Sequence, residues 1–315
     1  MFLENGAGEN CLSPARISTW ILINEGRQGT YSVKRFLETA EEYEVAVQTV
    51  VPREFDIIAT KEGKKSIRYQ GRLVDMVDCL VPRMGSATTY FALAVIRHLE
   101  RIGVFVLNSS LSIETAKDKL ATMQILAANS IPIPKTMLAK FPLNIDLVET
   151  EFRYPLVLKT VSGSHGKGVF FCENQSQLED ISNLIEVSKD PKVNVIIQEF
   201  VRSSRGKDIR VIVIGGRPIG AIVRTAKRDR YKANFTAGGT VTPFTLNPAV
   251  EWLAVESAAL LGLDIAGVDI LFDGDNYSVC EINSSPGFEG FEQATGISVP
   301  KAIYQYLNVR LGAGS

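Results

Sequence analysis

Asp269, Glu281 and Asn283 have the types and spacing of an oxygen-only metal site. Two apolar runs, Gly267 to Phe272 and Tyr277 to Ile282, flank the turn sequence DGDN and read as a hairpin. Residues two apart on a strand share a face, so Glu281 and Asn283 point the same way. The connection sets Asp269 opposite either Cys280 or Glu281, and a one-residue slip sends it to the other face. Acids inside VDIL and VCEIN have apolar neighbours, and a buried carboxylate needs a partner. Oxygen ligands without His or Cys suit Mg²⁺ or Mn²⁺, held partly through the phosphates of a bound nucleotide. The alternative is a pair of solvated carboxylates on a sheet edge.

Lys159 closes the strand LVLK just before the turn SGSHGKG (162–168). Backbone N–H groups of a glycine-rich turn can cradle phosphate oxygens, and a strand lysine can add a charged hydrogen bond. This is no Walker A loop: position 161 is Val, and Gly168 follows Lys167. Nor is it GxGxxG opening a helix, because a strand follows. By itself the turn serves equally well as a plain hairpin.

Basic groups supply the third candidate, in RGKDIR (205–210) and RTAKRDRYKAN (224–234). The second segment sets Arg224, Lys227, Arg228, Arg230 and Lys232 against Asp229 and reads as a solvated loop or a nucleic-acid patch. Arg210 lies inside an apolar strand and requires an anionic partner. Basic groups facing an acidic metal hairpin point to phosphate chemistry. The two histidines add little: His98 falls in a helix and reads as structural, and His165 has no aspartate in a recognisable triad motif.

Strands alternate with amphipathic helices through the first third: Ile17 to Ile23, Val45 to Val51, Cys79 to Pro82 and Val104 to Leu107 as strands, Val33 to Ala40 and Tyr90 to Ile102 as helices. That alternation predicts a small parallel α/β unit ending near Asn108. Ser112 is placed to cap a helix with the stripe Ile113, Ala116, Leu120, Met123 and Ala127. IPIPK (131–135) marks a boundary. Pro155 to Val161 and Val169 to Cys172 pair, and Ser176 with Glu179 forms a capping box for the next helix. Val195 to Phe200 is a buried strand. Beyond it, GGRP joins Ile209–Ile214 to Ile219–Val223, and Asn247-Pro248 starts a helix that Gly262 stops.

The chain has 315 residues, 45% hydrophobic and 22% charged, with a formal net charge of -1: ordinary globular composition without a global basic field for nucleic acid. Cys11, Cys79, Cys172 and Cys280 are scattered without CxxC spacing, which predicts a reducing, cytoplasmic setting. No apolar run reaches the roughly 20 residues of a membrane span. Residues 1–16 read as a disordered leader without a secretory n-region.

In this order, the pieces resemble the ATP-grasp superfamily and, more closely, the RimK family of ATP-dependent glutamate ligases. The likeness is carried by VPRMGSATTYF (81–91), AKDKLATMQILA (116–127), LVLKTVSGSHGKGV (156–169), QEFV with GKDIRVIVIGG (198–216), AGVDIL (266–271) and EINSSPGFEGFEQATGI (281–297), from about residue 17 to 308. It implies an α/β and α+β chain: a Rossmann-like pre-ATP-grasp domain (17–108), a central ATP-grasp subdomain (109–200) and a C-terminal one with the metal site (201–315). It further implies that Lys119 and Lys159 contact ATP phosphates, that Gln198, Glu199, Phe200 and Val201 form the strand reading adenine, and that Asp208 holds the ribose. Arg210 would stabilise an acyl phosphate, Lys232, Ala233 and Asn234 would complete the phosphate contacts, and Asp269, Glu281 and Asn283 would bind two divalent ions. The implied partners are ATP, L-glutamate and an acidic acceptor such as a ribosomal protein C-terminus, without nucleic acid or membrane; such ligases are often homo-oligomers. A dipeptide synthase of the N-acetylaspartylglutamate or citrylglutamate type is the alternative. Other classes are a non-catalytic ATP-binding regulatory module and, against the near-zero charge, an RNA-binding protein. Three segments depart from the family pattern: YKAN for FRSN, TAGG for HRGG, and SGSHGKG for a TQGIG-like loop.

Overall fold

The apolar runs of the first hundred residues assemble a parallel sheet. The computed structural model describes residues 17–43, 45–61, 66–161, 168–188, 194–227 and 239–312. In chain order come β1 (Ile17–Leu22), α1 (Tyr31–Ala40), β2 (Val45–Val50), a small antiparallel sheet of β3 (Phe55–Ile57), β4 (Ile67–Tyr69) and β5 (Arg72–Leu73), then β6 (Cys79–Pro82), α2 (Tyr90–Arg101) and β7 (Phe105–Val106). The parallel sheet has the order β2-β1-β6-β7. Alternation sends Ile21 and Ile23 to α1, against Val33 and Phe36, while Trp20 and Leu22 face Leu93, Ile96 and Leu99 of α2. Both faces are thus covered, which is why β6 is apolar throughout.

The single helix expected after Asn108 is two. Ser109, not Ser112, caps α3 (Ser110–Lys117), its Oγ accepting from Ser112 N–H at 3.1 Å. Asp118 then breaks the helix and caps α4 (Lys119–Ala128), Oδ1 accepting from Leu120 and Ala121 N–H at 2.9 and 3.0 Å. An aspartate bonding its own neighbours' N–H groups prevails over continued apolar spacing. The break turns the second stripe, so Leu126 is buried and Ala127 exposed.

β8 (Thr136–Leu138), α5 (Ile145–Glu151), β9 (Leu156–Thr160), β10 (Val169–Cys172), α6 (Gln175–Ser188) and β11 (Val195–Glu199) follow. The strands make an antiparallel sheet of order β10-β9-β11-β8. The expected Ser176–Glu179 box is displaced upstream: Asn174 Oδ1 accepts from Gln177 N–H at 3.0 Å, and Gln177 Oε1 accepts from Glu173 N–H at 2.8 Å. Asparagine is as good a cap as serine, and it comes first.

The last unit holds β12 (Lys207–Ile214), β13 (Arg217–Thr225), β14 (Thr240–Phe244), α7 (Pro248–Leu260), β15 (Ile265–Asp273), β16 (Asn276–Asn283), α8 (Glu289–Thr295) and α9 (Val299–Leu311). Its antiparallel sheet runs β14-β13-β12-β15-β16. Gly215 and Gly216, at φ 58° and 75°, make the tight β12–β13 turn that only such residues allow. Asn247 caps α7 through Val250 N–H at 3.0 Å, as its sequence predicts. On one sheet face Ile209, Val211 and Val213 pack under Val250, Leu253 and Ala254. On the other, Ile212 and Ile214 meet Phe288, Phe291 and Tyr304 together with Phe36 of α1, so the parallel sheet and the C-terminal sheet share a core. No helix among the described residues is long and apolar enough to cross a membrane.

Candidate active site

The hairpin register is decided by one residue. Counting back from the Asp273–Asn276 pair, unbroken pairing would set Asp269 opposite Cys280. Instead the ladder shifts after the Ile270–Val279 pair, and Asp269 meets Glu281 while Gly267 meets Asn283. Cys280 is the extra residue of a β-bulge, a device common beside functional sites. Asp269, Glu281 and Asn283 therefore share one face.

Two more strands extend that face into a lattice of charge. Arg210 lies opposite Asp269 and Arg224 opposite Asp208 in the ladders. Arg210 Nε and Nη2 each donate to the Asp269 carboxylate at 2.7 Å. Arg224 donates to both Asp208 oxygens at 2.6 and 2.7 Å and reaches Asp269 Oδ2 at 2.9 Å. Burial opposes charge on Asp269, but Arg210 and Arg224 outweigh it and hold the carboxyl below its usual range. On Asp208 burial prevails over Arg224, and the carboxyl is raised. For Arg224, burial is overcome by the two aspartates, which raise its guanidinium further.

Opposite this face stand two lysines, Lys159 on β9 of the central sheet and Lys119 at the start of α4. Lys159 Nζ donates to Gln198 Oε1 at 2.5 Å and stands 3.5 Å from Cys280 Sγ. Gln198 is buried, and its Nε2 donates to Thr136 Oγ1 at 2.9 Å. Lys119 Nζ donates to Val161 O at 3.4 Å. Lys119, Lys159, Gln198, Met123, Cys280 and Glu281 line one cleft of about 300 Å³, its open mouth included. Burial raises the Cys280 thiol, against the lowering pull of Lys159.

Lys119, Lys159, Gln198 and Glu281 thus converge, and Asp208, Arg210, Asp269 and Asn283 lie on the adjoining sheet face. Glu199 is exposed at the end of β11, Phe200 meets the Phe171 ring edge-on at 4.9 Å, and Val201 is buried where the chain passes between the sheets. Two side chains are already engaged: Gln198 holds Lys159, and the Asp208 carboxylate is gripped by Arg224. Lys232, Ala233 and Asn234 lie outside the described residues, as do His165 and the leader 1–16. Arg224 departs from the solvated loop or nucleic-acid patch that its basic segment predicts. It is buried at the end of AIVR, and the signal was there: an arginine in phase with Ile222 on an apolar strand, as Arg210 is on its own.

The donor set fits a hard cation. Glu281 has no hydrogen-bond or ion-pair partner for its carboxylate among the described residues, and Asn283 uses its Nδ2 toward Gly267 O at 3.4 Å, leaving Oδ1 available. Asp269 has to share its oxygens with two guanidiniums. No group of three His, Cys, Asp or Glu side chains gathers among the described residues, so the set rests on two carboxylates and an amide.

The chain matches the model of the RimK-like ATP-grasp domain over residues 116–307 and that of the RimK pre-ATP-grasp domain over 20–113. It belongs to the RimK family of ATP-grasp ligases. Similar relatives include a probable alpha-L-glutamate ligase of Serratia proteamaculans, 35% identical over 90% of this chain and 94% of that protein. The one from Azotobacter vinelandii is 37% identical over 88% and 91%. Among solved structures, the ATP-grasp ligase PsnB with a phosphomimetic variant of its minimal precursor, Mg and ADP has a TM-score of 0.72 at 19% identity, covering 92% of this chain and 98% of that one. The D-cycloserine synthetase DcsG has a TM-score of 0.69 at 17% identity, covering 93% and 99%. These likenesses establish the ATP-grasp fold. As a RimK-family ligase, the protein joins a carboxyl group to an amine at the expense of ATP.

Proposed function

We propose that this ligase adds L-glutamate to the carboxyl group of an acidic acceptor through an acyl phosphate, in the cytoplasm, and that the acceptor is a protein C-terminus of the ribosomal-modification type. The observation that carries this reading is the bulge at Cys280, which turns Asp269 and Glu281 to one face in a row with Arg210, beside a cleft holding Lys119 and Lys159. The alpha-L-glutamate ligase names of relatives matched over about nine-tenths of their length support glutamate as the amine donor.

In the first step an acceptor carboxylate oxygen attacks the γ-phosphorus of ATP, and the bond to the bridging oxygen breaks to release ADP. In the second the glutamate amine attacks the acyl carbon, phosphate leaves, and the amine loses a proton. The chain's own groups bind and orient. Lys119 and Lys159 neutralise the phosphates, Gln198 fixes the Lys159 ammonium, and Arg210 faces charge developing on the transferred group. Asp269, Glu281 and Asn283 would hold two Mg²⁺ or Mn²⁺ ions, which when bound neutralise the nucleotide phosphates. No protein nucleophile is needed, and Cys280, with a raised thiol, is poorly suited to be one.

The test is incubation with ATP, Mg²⁺, glutamate and candidate acceptors, with products weighed by mass spectrometry. ADP together with an acceptor heavier by one or more glutamyl residues supports the assignment. Nucleotide binding without turnover on any acceptor refutes it.

A further inference from the structure

Arg83 follows β6 directly, and its N–H donates to Leu22 O at the end of β1 at 2.8 Å. The strand order β2-β1-β6-β7 reverses direction between β1 and β6, so Arg83 sits at the topological switch point of the parallel sheet. Crevices outside the carboxyl ends of strands at such points are where open α/β sheets bind ligands.

The surroundings of its guanidinium are unusual for a half-buried arginine. Phe36 and Phe288, themselves packed edge to face, lie to one side of it, their ring centroids 5.7 and 5.3 Å from Cζ. Nη2 donates to Pro286 O at 2.7 Å, Nε is buried without a partner, and Nη1 has none among the described residues. No carboxylate pairs with it among the described residues, whereas Arg210 pairs with Asp269, and Arg224 with both Asp208 and Asp269. Burial lowers its pKa to about 10, which leaves it charged at neutral pH.

Its position joins this crevice to the metal hairpin. Pro286 packs so tightly on Gly267, the ladder partner of Asn283, that a Cβ there would come within 2.5 Å of the proline Cβ. Asn108 fixes the same loop, donating to Ser284 O and Ile265 O at 2.7 Å each. Gly85, two residues beyond Arg83, stands against Ser285 of the same loop.

We infer that Arg83 binds a substrate carboxylate other than the one being activated, making the β1–β6 crevice the subsite for the charged end of an acidic substrate. This rests on the proposed ligase reading. The carboxylate belongs either to the incoming amino acid or to the acceptor, and kinetics separates the two sources. A guanidinium backed by aromatic rings, with donor positions that no carboxylate fills among the described residues, suits a planar anion, and losing one charged hydrogen bond of this kind lowers affinity about 10- to 100-fold.

The experiment compares the wild type with Arg83→Gln and Arg83→Lys, titrating ATP, glutamate and acceptor separately. The expected result is a KM raised about tenfold or more for one acidic substrate in Arg83→Gln, a smaller rise in Arg83→Lys, an unchanged KM for ATP, and lost discrimination between that substrate and its amide analogue. The substrate whose KM moves identifies the source. Unchanged KM values for both acids, or equal losses for ATP and both acids with a lowered melting midpoint, would overturn the inference. If the wild type does not turn over glutamate, the ligase reading fails separately, and calorimetry with glutarate then decides. Glutarate binding lost in Arg83→Gln supports the subsite, and no binding to the wild type refutes it.

Discussion

Arg210 grips Asp269 with two arms of its guanidinium, Nε and Nη2 each donating at 2.7 Å. The pair lies almost wholly out of solvent, and Arg224 joins it from the next strand. One of the two carboxylates proposed to hold a cation is thus held in advance by arginines. Burial of a fixed, partnered charge costs little reorganisation when an anionic nucleotide arrives, because the oxygens are already aimed.

Removing one member of such a network exposes the cost the others carry. Asp269→Ala leaves two buried guanidiniums short of a partner, and Arg224→Met leaves Asp208 uncompensated. Each is expected to destabilise the fold by roughly 3–5 kcal/mol, read from the urea midpoint. Glu281→Ala, at a carboxylate without an ion pair among the described residues, should change stability by about 0.5 kcal/mol or less.

The Gln198 side chain holds the Lys159 ammonium. Gln198→Leu frees the ammonium and removes the bond that Thr136 Oγ1 accepts, leaving its bond to Pro134 O. ATP affinity should fall about tenfold, the share of one charged hydrogen bond, while the dissociation constant measured for Lys159→Ala changes little on adding Gln198→Leu. Additive losses in that double-mutant cycle would remove the coupling.

The outline of the fold could be read from sequence because its signals are local. Alternating apolar runs gave β1, β6 and β15, and Asn247-Pro248 gave the start of α7. Where two local signals competed the reading failed, as at Asp118, whose cap splits the expected helix. The site was partly legible. The oxygen set was visible, but its register was not, since the bulge at Cys280 has no glycine or proline to announce it. The switch-point place of Arg83 depends on strand order, which residue spacing does not encode.

His98 provides a pH handle away from the site. Its Nε2 shares a hydrogen bond of 2.6 Å with buried Ser66. Burial, helped by Arg101, lowers its pKa below the ordinary 6.5. The unfolded chain therefore takes up this proton at a higher pH than the folded chain. Stability contributed by neutral His98 is complete above about pH 6.5 and is lost as pH falls toward the folded value. The melting midpoint should decline across that window in the wild type and decline less in His98→Gln; parallel curves would remove His98 as the cause.

The most direct test of the account is ADP release measured with and without glutamate and acceptor, at saturating Mg²⁺, in the wild type and Glu281→Gln. The account predicts release that requires both substrates in the wild type, and a loss of about 100-fold or more in the variant, with its melting midpoint unchanged. Full ADP release by Glu281→Gln would contradict the assignment of the β15–β16 hairpin as the metal-binding end of the ligase site.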